Sequence, residues 1–402
     1  MSKISEKLRY VGVNDLKKTA FEGMWPLPYG VSYNSYLILD GKTALIDTAE
    51  ADFATEYMDN IRKELGDRKV DYLIVNHMEP DHSSLMKVIR ETWPEVTIVA
   101  NAKTVPMIKG YYGICDNVHI VKEGDSISLG ASSLTFHMTP MVHWPETMMT
   151  YFDEEKTLFS GDAFGTFGAL EGGVTDSVVR LHGSDVPTGN AFHAFADEMR
   201  RYYSNIVGKY GQTVQAALKK LSGLEISRIC STHGPVWEKN IPEVVSCYDR
   251  LSRYEGEKGV CIAYASMYGN TAKAAESLAS ELEKRGVPYA VHDLCTEHVS
   301  YAYRDAFKYD TLVVGAPTYN NDIFPPAYNF MYGIAARLMK NRRFAAFGSF
   351  TWAGASVKLL NGMASGLGFE LLSDGLSFPQ AFTPEKCDMG ALADTIASQV
   401  TE

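Results

Sequence analysis

Within six residues, His77-Met78-Glu79-Pro80-Asp81-His82, this chain carries two imidazoles and two carboxylates, directly after the apolar run Asp71-Tyr72-Leu73-Ile74-Val75. Such a run predicts a buried strand, and open α/β folds place their chemistry at the carboxyl ends of strands. A helix cap or a satisfied core position accounts for a single histidine, whereas four ligand-type side chains at HxExDH spacing point to a metal. Zinc sites favour more nitrogen or sulfur, while this hard, oxygen-rich set suits iron or manganese, and Glu79 tilts the expectation toward iron. The fold must therefore bring one strand end and further ligands from elsewhere in the chain into a single crevice.

Three further candidates stand at strand ends. His143 lies in the Pro-flanked segment Pro140-Met141-Val142-His143-Trp144-Pro145. Asp162 follows Thr157-Leu158-Phe159-Ser160-Gly161, where the glycine permits close backbone approach. His233 follows Ile229-Cys230-Ser231-Thr232 and precedes Gly234-Pro235. His119, His137, His182, His193, His292 and His298 lack this context and are expected on the surface or in the core.

A chain of 402 residues with 46% hydrophobic and 22% charged content can bury a large core and divide into two or three domains. Its net charge of -11 argues against general affinity for nucleic acid or anionic membrane. The basic cluster Lys340, Arg342 and Arg343 reads as a solvated helix end. No apolar run is long enough to span a bilayer and Met1-Ser2-Lys3-Ile4-Ser5-Glu6 lacks a signal-peptide core, so a cytoplasmic location is expected. The six cysteines include no CxxC, which excludes a rubredoxin or zinc-ribbon module within these residues and makes any iron-sulfur partner a separate protein.

The first part reads as short strands interleaved with helices. A hairpin is expected over 36–39 and 43–47 with Asp40-Gly41 at the turn, and strands over 97–100, 134–137, 148–152 and 228–231. This mixed order suggests an αββα sandwich. The run Glu255-Gly256-Glu257-Lys258-Gly259 is polar and lacks apolar periodicity, so it reads as a linker between domains 1–254 and 255–402. Beyond it, strands at 260–265, 289–293, 311–315 and 344–350 alternate with helices at 271–285 and 327–339, the pattern of a doubly wound parallel sheet.

Between the first of these strands and its helix lies Ser266-Met267-Tyr268-Gly269-Asn270-Thr271. Hydroxyls, backbone N–H groups and a permissive glycine at a helix N-terminus form an anion cradle. The segment lacks the GxxxxGK spacing of a Walker A loop. Two later loops follow strands in the same way. One is Gly315-Ala316-Pro317-Thr318-Tyr319-Asn320-Asn321, and the other is Gly348-Ser349-Phe350-Thr351-Trp352-Ala353-Gly354. No second glycine-rich nucleotide fingerprint is evident, so no NADH site is expected.

HxExDH followed by His143-Trp144-Pro145, Gly161-Asp162 and Thr232-His233-Gly234 resembles the flavodiiron proteins of the A-type. These join a metallo-β-lactamase-like domain to a flavodoxin-like one, and the resemblance covers essentially the whole chain. Hydrolases of the metallo-β-lactamase superfamily usually carry HxHxDH and bind zinc, so Glu79 is the discriminating residue. The resemblance implies that His77, Glu79 and His143 hold the iron nearer the flavin, that Asp81, His82 and His233 hold the distal iron, and that Asp162 bridges the two. Tyr202 matches a tyrosine placed behind the ligands. The phosphate loop and its two companions resemble those of flavodoxins and imply FMN, with Tyr319 and Trp352 covering its ring.

The implied activity is reduction of dioxygen to water or of nitric oxide to nitrous oxide. Electrons would come from a separate donor, which could be rubredoxin, a deazaflavin coenzyme or a reductase. The implied assembly is a head-to-tail homodimer or a homotetramer built from it. Two departures bear on substrate preference. Glu22 stands where many members have a histidine, and the segment 170–189, with its glycines and acids, looks longer than usual; both are expected near the metal pocket. The competing expectations are a zinc hydrolase fused to a flavodoxin domain, and a noncatalytic flavin carrier or redox sensor with a structural metal.

Overall fold

Alternating apolar positions between Leu8 and Trp237 build two sheets that face each other. The computed structural model describes residues 3–187 and 189–400. Its first unit comprises the chain up to Tyr202 together with Gln212–Asp249. One sheet runs in the order Leu8–Tyr10, Tyr36–Leu39, Thr43–Ile46, Tyr72–Ile74, Thr97–Asn101, Val118–Val121. The other runs Ser126–Ser128, Ser133–Met138, Met148–Phe152, Thr157–Gly161, Arg228–Ser231, Val236–Trp237. Ile38, Ile46, Ile74 and Val99 from the first meet Leu134, Phe136, Phe152 and Phe159 from the second in one buried cluster.

The expected hairpin forms with Tyr36 opposite Ile46 and Leu39 opposite Thr43. Outer helices such as Ala54–Leu65 turn Tyr57, Met58, Ile61 and Leu65 inward, completing the αββα sandwich.

A network of polar side chains pins the two sheets together beneath the HxExDH segment. Asp47, left-handed at φ 50°, accepts from Asn76 N at 2.8 Å and from Asn76 Nδ2 at 3.0 Å. Thr150 Oγ1, on the second sheet, donates to Asn76 Oδ1 at 2.7 Å, and Met148 N donates to Asn76 O at 3.0 Å. Buried polar groups that are fully paired specify one arrangement, so the residue before His77 is held from both sheets.

The second unit comprises Tyr203–Gly211 and the chain from Arg250 onward. Apart from a small antiparallel pair, Thr318–Tyr319 with Asp322–Ile323, its strands form a main sheet that is parallel throughout, in the order Tyr289–Asp293, Glu257–Tyr264, Tyr309–Gly315, Arg343–Phe350, Glu370–Leu371, and Leu376–Pro379 also pairs with Arg343–Phe350. This is the flavodoxin-like order, whose switch point lies between the first and third strands in chain order. Leu278 and Leu282 of helix Asn270–Lys284, with Leu392 and Ile396 of helix Met389–Val400, pack onto Ile262, Val313 and Phe347.

Three expectations need correction here. The stretch 255–259 is no free linker, because the first strand begins at Glu257, which pairs with Tyr309 ahead of a bulge. A Cβ on Gly256 would lie 2.4 Å from Asp310 N, and one on Gly259 2.4 Å from the Tyr309 ring, so both glycines serve close approach rather than flexibility. The helix expected over 327–339 spans Pro325–Ala336 instead. Proline suits the first helical turn, and Leu338 at φ 52° has already left the helix. Arg342 is not solvated but 2% exposed. Its guanidinium donates to the carbonyls of Ala306 at 2.9 Å, Phe307 at 3.1 Å and Asn341 at 3.0 Å, and burial lowers its pKa to about 10.

His292 is buried on the edge strand, with Nδ1 2.6 Å from Glu297 Oε2 and Nε2 2.8 Å from Asp305 Oδ2; Arg304 also binds Asp305, at 2.7 Å. Burial opposes the imidazolium, but the hydrogen bonds to Asp305 and Glu297 raise its pKa above the ordinary 6.5. A native pKa raised above the unfolded value stabilises fully below the unfolded value and is lost as pH rises through the native one. The urea midpoint of this unit should therefore fall as pH rises above 6.5. His292→Asn should flatten that slope and cost about 1–3 kcal/mol at the acid end. Parallel pH curves for the two proteins would refute the assignment.

Candidate metal centre and phosphate-loop site

All seven ligand candidates converge at the ends of the two sheets in the first unit. Glu79 precedes the single helical turn Pro80–Ser83, which turns Asp81 and His82 back toward the strand end. His77, Glu79, His143 and Asp162 form one buried group, and Asp81, His82 and His233 form another; within each group the potential ligand atoms lie within 4.8 Å of one another. Asp162 faces both. Its Oδ2 is 3.0 Å from His143 Nε2 and 3.5 Å from His77 Nε2, while its Oδ1 is 3.2 Å from His82 Nε2 and 3.7 Å from His233 Nε2.

Burial disfavours charge throughout this cluster, yet the pairing prevails. Hydrogen bonds to Asp162 and Glu79 carry His143 up to about 10. His82, then His143, hold Asp162 well below the usual carboxylate range against the effect of burial.

Contacts behind the ligands orient them, and those of Glu146, Ser32 and Thr232 were not visible in the sequence. His77 Nδ1 is 2.7 Å from Glu146 Oε1, which also accepts from Met78 N at 3.0 Å. His233 Nδ1 is 2.7 Å from the Ser32 carbonyl, and Thr232 Oγ1 donates to Asp162 Oδ1 at 2.5 Å. In both histidines the outward nitrogen is engaged and Nε2 is turned to the pocket. Glu146 also sits at low pKa, with burial opposed by its hydrogen bond to His77.

Phe21, Tyr33 and Tyr202 surround the His233 ring at centroid distances of 5.3, 5.8 and 5.6 Å and form a buried aromatic wall. The Tyr202 hydroxyl is buried without a hydrogen-bond partner among the described residues. Burial and then the charges of Asp162, Glu79 and Asp81 push its pKa well up, so the phenol stays protonated.

Glu22 does reach this pocket. The residue is exposed as a whole and left-handed at φ 50°, but its carboxylate accepts from Trp25 Nε1 at 2.9 Å. Burial of that group and repulsion by Glu79 raise its pKa to about 7. The segment 170–189, of which Thr188 lies outside the described residues, behaves differently. Leu170–Glu171 pairs with Arg180–Leu181, and Asp176 accepts from Lys239 N and Asn240 N at the start of helix Ile241–Ser252. Its Gly172, Gly173 and Val174 line a separate cavity of about 460 Å³ with Asn14, Asn60 and Lys63, which contains none of the ligand candidates.

In the second unit, Ser266, Met267, Tyr268, Asn270, Thr271, Pro317, Thr318, Ser349, Phe350 and Thr351 line a cavity of about 110 Å³ at the carboxyl ends of the first, third and fourth strands. Gly269, at φ 85°, is the N-cap of helix Asn270–Lys284. Thr271 Oγ1 and Ser349 Oγ lie 3.1 Å apart and join two of the loops. The Thr318 hydroxyl is already engaged, accepting from Ala355 N at 3.0 Å and Ser356 N at 3.2 Å. Tyr319, Asn320, Trp352 and Gly354 do not line the cavity; Tyr319 and Trp352 stand 42% and 86% exposed.

Gln380 lines the same cavity from a loop that the sequence reading missed. Its N–H bonds Phe350 O at 2.7 Å, and the neighbouring Phe382 N bonds Asn270 Oδ1 at 3.3 Å.

The residues fit the groups expected of them. His77 Nε2, both oxygens of Asp81, His82 Nε2 and His233 Nε2 are buried and make no hydrogen bond of good geometry among the described residues, although His233 Nε2 lies 3.2 Å from Asp81 Oδ2 and His82 Nε2 3.2 Å from Asp162 Oδ1. Unpaired buried acceptors are costly, and a cation removes that cost. Four imidazoles with three carboxylates and no thiolate are a hard donor set suited to iron. A glycine-led helix N-terminus flanked by hydroxyls at the switch point of a parallel sheet suits a flavin phosphate.

Residues 31–234 match the family described as ODP family beta lactamase, and residues 262–393 match the flavodoxin family. The nitric oxide reductase of Moorella thermoacetica is 32% identical over 375 residues, 92% of this chain and 91% of that protein. Among solved structures, the rubredoxin oxygen:oxidoreductase of Desulfovibrio gigas superposes with a TM-score of 0.90 at 29% identity, covering 99% of this chain and 98% of that one. The flavodiiron protein of Giardia intestinalis gives 0.88 at 25% identity over 99% and 98%. None of the three is named as a hydrolase, and the zinc-hydrolase alternative finds no support among them. The chain belongs to the flavodiiron proteins, oxidoreductases that pair an FMN-binding flavodoxin domain with a diiron β-lactamase-like domain.

Proposed function

We propose that this chain is a terminal reductase of dioxygen or nitric oxide, forming water or nitrous oxide, with residues 1–254 as the diiron domain and 255–402 as the FMN domain. The observation that carries the reading is Asp162, whose two oxygens each face a different ligand group. His77, Glu79 and His143 would hold one iron, Asp81, His82 and His233 the other, and Asp162 would offer one oxygen to each. When bound, FMN and the iron pair supply the electron storage and transfer that no side chain provides.

The chain's own residues orient and protect. Ser266, Met267, Tyr268, Gly269, Asn270, Thr271, Ser349 and Thr351 would cradle the flavin phosphate and its neighbouring hydroxyls. Phe21, Tyr33 and Tyr202 exclude water from the His233 side, and the protonated Tyr202 hydroxyl is a neutral donor available to a ligand in the pocket.

A separate donor, which could be a rubredoxin, a deazaflavin coenzyme or a reductase, would deliver electrons. Following the family resemblance, we propose a head-to-tail homodimer that sets the flavin of one subunit beside the irons of its partner. Among the described residues no helix is long and apolar enough to cross a membrane. All six cysteines are free, two of them exposed, which supports a reducing cytoplasmic setting.

Anaerobic stopped-flow mixing of the reduced, metal-analysed protein with each gas tests the reading. Multi-turnover consumption of one gas well above the free-flavin rate is expected. Consumption no faster than free flavin for both gases would favour the carrier or sensor. Asp162→Ala should weaken iron retention by at least about tenfold and abolish gas consumption while flavin content stays at the parent level. Unchanged iron content in that variant would remove Asp162 from the ligand set.

A further inference from the structure

The two ligand groups differ in what stands behind them. His233 is backed by the neutral Ser32 carbonyl, and His82 Nδ1 is buried with no partner among the described residues. Only His77, of the four imidazoles, has a carboxylate hydrogen-bonded to its outward nitrogen among the described residues; the Asp47 carboxylate acts on both His82 and His77 through its charge, without a hydrogen bond to either. Glu146 is 1% exposed, and its Oε1 receives both the His77 ring nitrogen at 2.7 Å and the Met78 backbone N–H at 3.0 Å. It therefore grips the HxExDH segment by ring and by backbone. Its own backbone is held in turn, because Asn101 Nδ2 donates to its carbonyl. The other oxygen, Oε2, is buried with no partner among the described residues. A buried carboxylate with one oxygen open is costly to keep, and its stabilising contacts all run through the other oxygen, to the His77 ring and the Met78 backbone.

We infer that Glu146 is a positioning residue that makes the two metal positions unequal: it fixes His77 as the Nδ1–H tautomer and makes it a more basic ligand than its counterparts in the other group. A carboxylate behind a ligating imidazole raises its basicity and favours the more highly charged metal. The His77 position should accordingly hold iron more tightly, and its ferric state should resist reduction more than the position of His233 and His82. The inference deepens the diiron reading and rests on it.

The test uses the iron- and FMN-loaded full chain and two variants. Glu146→Gln keeps the shape and an acceptor but removes the charge, and Glu146→Ala removes both. Iron release to a ferrous chelator is followed anaerobically, and the reduction steps of the irons and the flavin are followed by spectroscopic potentiometry. In Glu146→Ala, one of two release phases should accelerate about 10–100-fold while the other keeps the parent rate. In Glu146→Gln, release should accelerate less, and one iron step should move to more positive potential with the flavin steps unmoved.

Parent-like release and parent-like iron steps in both variants would overturn the inference. Equal acceleration of both phases accompanied by a lower urea midpoint would also overturn it, since that is general loosening. A parent protein that binds zinc and no iron would instead overturn the diiron reading, and this inference with it.

Discussion

The structure is organised around buried charge. Three carboxylates and four imidazoles share one pocket at the ends of two sheets, and such groups are tolerated away from water only when each finds an opposite charge or a metal. Asp162 makes the arrangement possible by giving one oxygen to each side. The low pKa of Asp162 and the high pKa of His143 express the same electrostatic balance from its two partners. An ion held there takes the place of protons on the imidazoles, so metal binding and the packing of the pocket are one problem.

That problem accounts for features that would otherwise look like ornament. The Asp47–Asn76–Thr150 network holds the residue before His77 from both sheets, which removes the freedom that mutually repelling carboxylates would exploit. Phe21, Tyr33 and Tyr202 set buried rings against His233, a low-dielectric surrounding that strengthens polar contacts on that side. Glu22 brings a further carboxylate beside Glu79, and burial of that group, followed by the charge of Glu79, holds its pKa up.

The second unit follows a different logic. Its sheet is apolar on both faces and its chemistry sits where three parallel strands end. Bringing the loops together takes cross-links such as Thr271 to Ser349 and Asn270 to the backbone of Phe382. The short segment Tyr203–Gly211 belongs to this unit although it follows directly on Tyr202, whose ring lies against His233.

The sequence alone disclosed whatever is encoded locally. HxExDH is one contiguous stretch, the phosphate loop is another, and Asp162, His143 and His233 each announce themselves at the end of an apolar run, so the ligand candidates and the parallel character of the second sheet were legible, whereas the division of the ligands into two groups came from the family resemblance and the sheet's last strands went unread. Polar runs misled where their role depended on distant neighbours. Glu255-Gly256-Glu257-Lys258-Gly259 looks like a linker until Tyr309 and Asp310 press against it, and Arg342 looks solvated until the carbonyls of Ala306 and Phe307 enclose it. Glu146 lies 69 positions from the His77 it supports, and Gln380 reaches the flavin cavity through the last strand of its sheet. No period or spacing records such pairings. Which side chains can serve as ligands is a property of residue type and local strand-end placement, whereas what stands behind each ligand is decided by how sheets and loops pack, and only the tertiary structure carries that.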